Sequence, residues 1–179
     1  MASELTVQTI KGPTSGGNAN KIIIPSGQTL DASAGVLTPS AGQVVQQVEF
    51  FNNVTFTTQS TSYVTTPCTV SITPKFVNSK MNIYICGGVY TTHTTEYRGG
   101  LRKNGSVMSG FSSDDLPLYH ANANSNAEEG GMIAQVFTDP NVGTLSSVTY
   151  AYYVKRSGSN SATVYFYRNY GIIVQEIKQ

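Results

Sequence analysis

The chain has 179 residues, room for one core-forming domain and a short appendage. Only 12% of residues are charged, about half the usual share, and 11 Lys and Arg against 10 Asp and Glu leave a formal charge of +1. That balance excludes a long-range field for gathering nucleic-acid phosphates or anionic lipid, and no apolar run approaches the roughly 20 residues of a membrane span.

Residues 1–42 read as an extended segment distinct from the rest of the chain. Leu5–Ile10 is a short strand candidate, Gly12–Asn18 a turn-forming run, and Lys21–Ile24 a second short strand that stops at Pro25-Ser-Gly27. Leu30–Gly35 and Leu37-Thr-Pro39 lead to a break at Ser40-Ala-Gly42. Pieces this short bury too little apolar area to offset the entropy of ordering them, so they need partners from the same chain or a neighbour. The opening Met1–Thr6 has no basic stretch followed by an apolar run, so synthesis in a cytoplasm and a soluble product are the expectation.

From residue 43 the pattern is strand and turn to the end. Val44–Phe51 is a strand, Asn52-Asn53 a tight turn, and Val54–Thr58 the next strand. Tyr63–Ile72 alternates, with Pro67 confined to an edge, bulge or break. Pro74–Lys80 connects to Met81–Val89, where Met81, Ile83, Ile85 and Val89 share one face in the clearest period-2 pattern of the chain. Glu96–Lys103 and Ser106–Met108 flank Asn104-Gly105, the pair that supplies two positive-φ positions for a two-residue hairpin. Residues 111–131 lack an apolar period and read as a long surface loop with a short strand near Leu118–His120. Met132–Phe137 and Leu145–Lys155 are strands; Ser157–Ser161 reads as a hairpin into Ala162–Arg168, and Asn169-Tyr-Gly171 leads to the closing strand Ile172–Ile177. With no helical period of useful length, residues 43–179 describe an all-β domain, an antiparallel jelly-roll-like β-sandwich.

Chemistry-bearing residues are sparse. His93 and His120 have no helix to bring them to metal-binding spacing, so each reads as a solvated histidine. Asp114-Asp115 and Glu128-Glu129 are the acidic pairs of the long loop; convergence on calcium is the alternative to ordinary solvation, but the spacing of a dedicated calcium loop is absent. No Gly-x-Ser-x-Gly elbow or phosphate loop occurs, and no metal, cofactor or enzymatic activity is expected. Cys68 shares a face with Val70 and Ile72 and Cys86 with Tyr84, favouring structural thiols over a disulfide. Tyrosines are the remaining binding-type residues: Tyr150 and Tyr152 share a face opposite Tyr153, and Tyr165 and Tyr167 flank Phe166. Aromatics on both faces of a strand suit either an ordinary sheet surface or a core on one side and a neighbouring subunit on the other. The candidate surface-binding set is Tyr97, Asp114, Asp115, Tyr119, His120, Glu128 and Glu129.

Ile24–Gly35, Val70–Ile83, Leu101–Gly105 and Val174–Lys178 carry a further signal. In these phrases the chain resembles short fibre and capsid-accessory proteins of tailed bacteriophages of marine bacteria and cyanobacteria. The resemblance implies a structural virion protein, a homotrimeric fibre or capsid decoration protein whose residues 1–42 bind capsid, collar or tail proteins and whose β domain projects outward. A tail-associated protein attaching to host-surface glycan is the alternative it leaves open. The chain departs from large tail fibres in having no repetitive shaft.

Overall fold

Among the described residues, the alternation of apolar and polar residues after residue 43 builds ten strands and no helix. In this computed structural model the described residues are 10–17, 19, 21–28, 39–92, 96–108, 116–118, 128–157 and 162–179. The chain divides into two units, Met1–Thr38 and Pro39–Gln179. In the first, turns close at Gly16–Ala19 and Pro25–Gln28, and Ile22, Ile23 and Ile24 are 57%, 56% and 42% exposed. The strand expected at Lys21–Ile24 is not formed, because the described residues offer it no ladder partner.

The second unit is an antiparallel β-sandwich. Its strands are β1 (Val44–Asn52), β2 (Phe56–Thr58), β3 (Val64–Ile72), β4 (Lys80–Thr92), β5 (Glu96–Lys103), β6 (Ser106–Val107), β7 (Leu116–Leu118), β8 (Glu128–Asp139), β9 (Val148–Ser157) and β10 (Val164–Ile177). One five-stranded sheet runs β1-β10-β4-β8, with β2 also on β10; the other runs β3-β9-β5-β6, with β7 also on β5. Residues 39–42, assigned by the sequence to the N-terminal segment, belong to this unit: Gly42 N donates to the Lys178 carbonyl and Lys178 Nζ to that of Pro39.

The core lies between the sheets. Met81, Ile83, Ile85 and Val89 of β4 point inward as their period predicts, beside Ile172 and Val174 of β10 and Ile133 and Phe137 of β8. Tyr150, Tyr152 and Val154 of β9, Cys68 and Ile72 of β3 and Leu101 of β5 close it from the other sheet. Tyr152 of β9 meets Phe166 of β10 edge-on across the layers at 5.9 Å and 65°, and Phe166 in turn meets Tyr170 within β10 at 5.7 Å and 77°. Asn104 and Gly105 take φ of 50° and 80°, the expected two-residue hairpin between β5 and β6. Pro67 sits in the edge strand β3 where the β3/β9 register shifts.

Four expectations are corrected. Ser157–Ser161 does not close a hairpin: β9 and β10 lie in opposite sheets, since β9 is flanked by β3 and β5 and its inward face looks across the core at β10. Asn169-Tyr-Gly171 is no turn between strands but a bulge inside β10, where residues 168–170 oppose the single residue Gly87, and Asn169 adopts φ 60°. Asn52-Asn53 does not fold β2 back on β1; both strands follow β10 in the same direction across that bulge, with Asn52 Oδ1 accepting from Val54 N. The loop expected over 111–131 gives up Glu128–Gly131 to β8 and Leu116–Leu118 to β7, because both have ladder partners in β4 and β5.

Candidate functional site

Side chains that alternate outward from the β1-β10-β4-β8 sheet would be polar if water covered it. They are largely apolar. The registers Val136↔Tyr84↔Ile173, Ala134↔Cys86↔Gly171 and Met132↔Gly88↔Tyr167 run across β8, β4 and β10, and Phe51 of β1 pairs with Gly171. Met132 is 84% exposed, Val136 65%, Phe51 53% and Tyr167 51%, while Tyr84, Cys86, Tyr90, Tyr165 and Ile173 are half-buried. Tyr90 and Tyr165 stack in parallel with centroids 4.3 Å apart, and Tyr167 meets Tyr90 edge-on at 5.9 Å. Gly171 allows this surface to close up: a Cβ there would run into the Phe51 ring, so glycine lets that ring lie on the sheet. Among the described residues, charge enters at the margins, through Glu49, Lys80 and the bulge residue Arg168.

An aromatic side chain offers roughly 150–250 Å², so these partly exposed groups add up to a patch on the order of 600 Å². That is the size at which a surface patch is commonly functional.

The outer face of the other sheet is different. Arg102 lies 4.4 Å from the Tyr153 ring centroid and 5.4 Å from that of Tyr63, and Lys155 Nζ lies 4.4 Å from the Tyr63 centroid. Arg98 and Lys155 stand directly opposite each other in the β5/β9 ladder. This face is cationic and aromatic.

The buried polar groups hold the fold together. Glu176, fully buried, accepts from Ser79 Oγ, Lys75 N, Phe76 N and Gln46 Nε2. Burial pushes its carboxyl up, but the bonds from Ser79, Lys75, Gln46 and Phe76 together outweigh that and hold it below its ordinary value. Asp139, at the end of β8, accepts from Tyr150 Oη at 2.6 Å and pairs with Lys103 Nζ at 2.6 Å, joining the two sheets. Burial, then the bond to Asp139, raises the Tyr150 phenol. Burial likewise pushes the Cys68 thiol up to about 12. Cys68 and Cys86 are both free, on the faces their alternation indicated.

The chain matches no family model and no curated protein.

Of the candidate surface residues, Tyr97 is corrected. It is 6% exposed on the inward face of β5, in phase with Leu101, and burial pushes its phenol up to about 12. Asp114, Asp115, Tyr119 and His120 lie outside the described residues. Glu128 and Glu129 begin β8 opposite Thr92 and Thr91, with side chains outside the description. Among the described residues there is no cluster of three or more metal-ligating side chains, and no helix is long and apolar enough to cross a membrane. Sequence reasoning missed Met132, Val136 and Phe51. The available signal was the run Met132–Phe137, apolar on both faces of one strand.

Proposed function

We propose that this chain is a structural, non-enzymatic building block of a tailed-bacteriophage virion, a short fibre or capsid decoration protein that works as a homo-oligomer. The observation that carries the oligomeric part is the apolar outer face of the β1-β10-β4-β8 sheet, with Met132, Val136, Phe51 and Tyr167 each more than half exposed. The occupant of that face is a second copy of the chain: the patch approaches the roughly 800 Å² per partner of a standard interface, and its low charge suits a permanent contact. The phage assignment is supported by the resemblance carried by Ile24–Gly35, Val70–Ile83, Leu101–Gly105 and Val174–Lys178. An architectural role accords with Glu176 and Asp139, buried carboxylates engaged in joining strands. In this reading the sandwich is the jelly-roll-like head, and Ile22, Ile23 and Ile24 in the first unit supply apolar surface for attachment to capsid, collar or tail.

Host attachment is the second reading, favoured by the cationic, aromatic outer face with Tyr63, Tyr153, Arg102 and Lys155, a platform suited to stacking on sugars. Cryo-electron microscopy of intact particles tests the assignment. Projecting oligomers of the sandwich on the shell or collar are expected; density at the tail tip favours host attachment, and absence of the chain from purified particles overturns both.

A further inference from the structure

A sheet has two edges, each a row of unpaired backbone donors and acceptors that recruits other strands unless protected. Three of the four edges in this sandwich carry protection. β1 has a register shift between Val44 and Gln46 and a charge at Glu49. β3 has Pro67 and a register shift between Thr65 and Thr69. The edge at β5 is covered by β6 and β7. β8 is the exception: its ladder to β4 runs unbroken from Glu128 to Thr92 through Asp139 to Met81, and residues 130–138, Gly-Gly-Met-Ile-Ala-Gln-Val-Phe-Thr, hold no charge and no proline. Among the described residues, nothing pairs with its other side.

A second feature of β8 says what belongs there. Gln135 lies between the inward-facing Ile133 and Phe137, and its Oε1 is shielded from solvent without a hydrogen-bond partner. A buried acceptor left unpaired is costly, so a missing partner is expected at that point of the strand.

We infer that two copies of this chain join through β8, antiparallel across a two-fold axis centred on Gln135, to form one continuous sheet. The inference rests on the self-association proposed above and specifies one of its contacts. With Gln135 facing its own copy, each side chain turns its amide from the shielded position toward the edge, and the two amides exchange hydrogen bonds, Nε2 of each donating to Oε1 of the other. Ile133 then faces Phe137 on the inner side, Ala134 faces Val136 on the outer side, and the two apolar outer faces become continuous. The same register sets the Glu128-Glu129 end of one strand against the uncharged Asn141-Val142 end of the other, so no carboxylate faces a carboxylate. Centring one residue earlier, on Ala134, would place Glu129 opposite Asp139, and the two acids would repel. The edge, the unpaired amide and the avoided pairing of Glu129 with Asp139 select the same partner and register.

Cysteine crosslinking of the full-length chain tests this, in a Cys86→Ala background that leaves only the buried thiol of Cys68. Directly opposed residues in an antiparallel pair have Cα atoms about 4.5–5.5 Å apart, within the roughly 4.4–6.8 Å that a disulfide spans. Under diamide, Gln135→Cys should give roughly tenfold more covalent dimer than Ala134→Cys or Val136→Cys alone, whose copies sit diagonally. Ala134→Cys and Val136→Cys chains mixed together should crosslink with each other, which preserves the test if Gln135→Cys folds poorly. Light scattering on the same samples separates the two readings. A multimeric mass without the Gln135→Cys dimer and without the mixed crosslink overturns pairing through β8 and leaves self-association standing; a single-protomer mass in every variant overturns both.

Discussion

Replacing Glu176 by Gln is the sharpest test of how the sandwich is held together. The carboxylate accepts from Ser79 Oγ at 2.5 Å, Lys75 N at 2.9 Å, Phe76 N at 3.0 Å and Gln46 Nε2 at 2.5 Å. It thereby ties β10 to β1 and to the connection between β3 and β4. Glutamine keeps the shape but turns one accepting oxygen into a donor, so at least one buried N–H or O–H faces another donor. Hydrogen bonds to a charged group contribute about 1.5–3 kcal/mol each, and an unsatisfied buried donor costs about 1–3 kcal/mol, so the variant should lose about 3–5 kcal/mol. That is a large share of a typical 5–15 kcal/mol, and with an m-value near 2 kcal/mol/M it moves the urea midpoint by roughly 2 M. The pH dependence has a definite sign. The folded carboxyl titrates below its ordinary value of 4.5, so its contribution is complete above that value and is lost as pH falls through the lower folded one. Wild-type stability should therefore drop on acidification below about pH 4.5, and the loss should be smaller in Glu176→Gln. A variant within about 1 kcal/mol of wild type at pH 7, with unchanged acid sensitivity, would refute the argument.

Phe51→Lys combined with Val136→Lys places charge on the outer patch, at side chains 53% and 65% exposed. Light scattering should report a single protomer with a melting temperature within a few degrees of wild type, as exposed substitutions cost little; an unchanged multimeric mass would remove this face from the interface. Gly87→Ala adds a Cβ against Tyr170 at a backbone φ of 155°. Strain of about 2–3 kcal/mol should lower the thermal midpoint by on the order of 8 °C, and an unchanged midpoint would show that the bulge has slack. Tyr150→Phe removes the hydroxyl bonded to Asp139 while leaving the Lys103 pair; urea unfolding should show a loss of about 1–3 kcal/mol, and no loss would mean that this bond between sheets contributes nothing.

Local chemistry made part of this fold legible. Met81, Ile83, Ile85 and Val89 declare their face by period alone, and Asn104-Gly105 supplies its turn. Pairing across the sandwich was not legible in the same way. Alternation says which side of a strand faces inward, but not which sheet the strand joins, so β9 and β10, adjacent in the chain, looked like a hairpin while lying in opposite sheets. Glu176 was legible in principle, because it falls in phase with Ile172 and Val174. Its polarity drew attention away from that phase, and the donors that make burial tolerable come from positions 46, 75, 76 and 79, remote in sequence.

The same alternation carries the strongest argument about the surface. A half-solvated antiparallel strand needs one apolar face, yet β8 has Ile133 and Phe137 inside and Met132 and Val136 outside. Apolar residues on both faces are the pattern of a strand covered on both sides, and a single copy covers β8 on one. The aromatics divide accordingly: Phe166 faces the core while Tyr165 and Tyr167 join Tyr90 outside. The outward tyrosines gather with Phe51, Met132 and Val136 on the sheet whose edge is β8, the edge without charge or proline between 130 and 138. On the opposite sheet, the outward Tyr153 lies beneath Arg102. This asymmetry supports the proposed assembly, in which the apolar sheet face meets neighbouring copies and the cationic one looks outward.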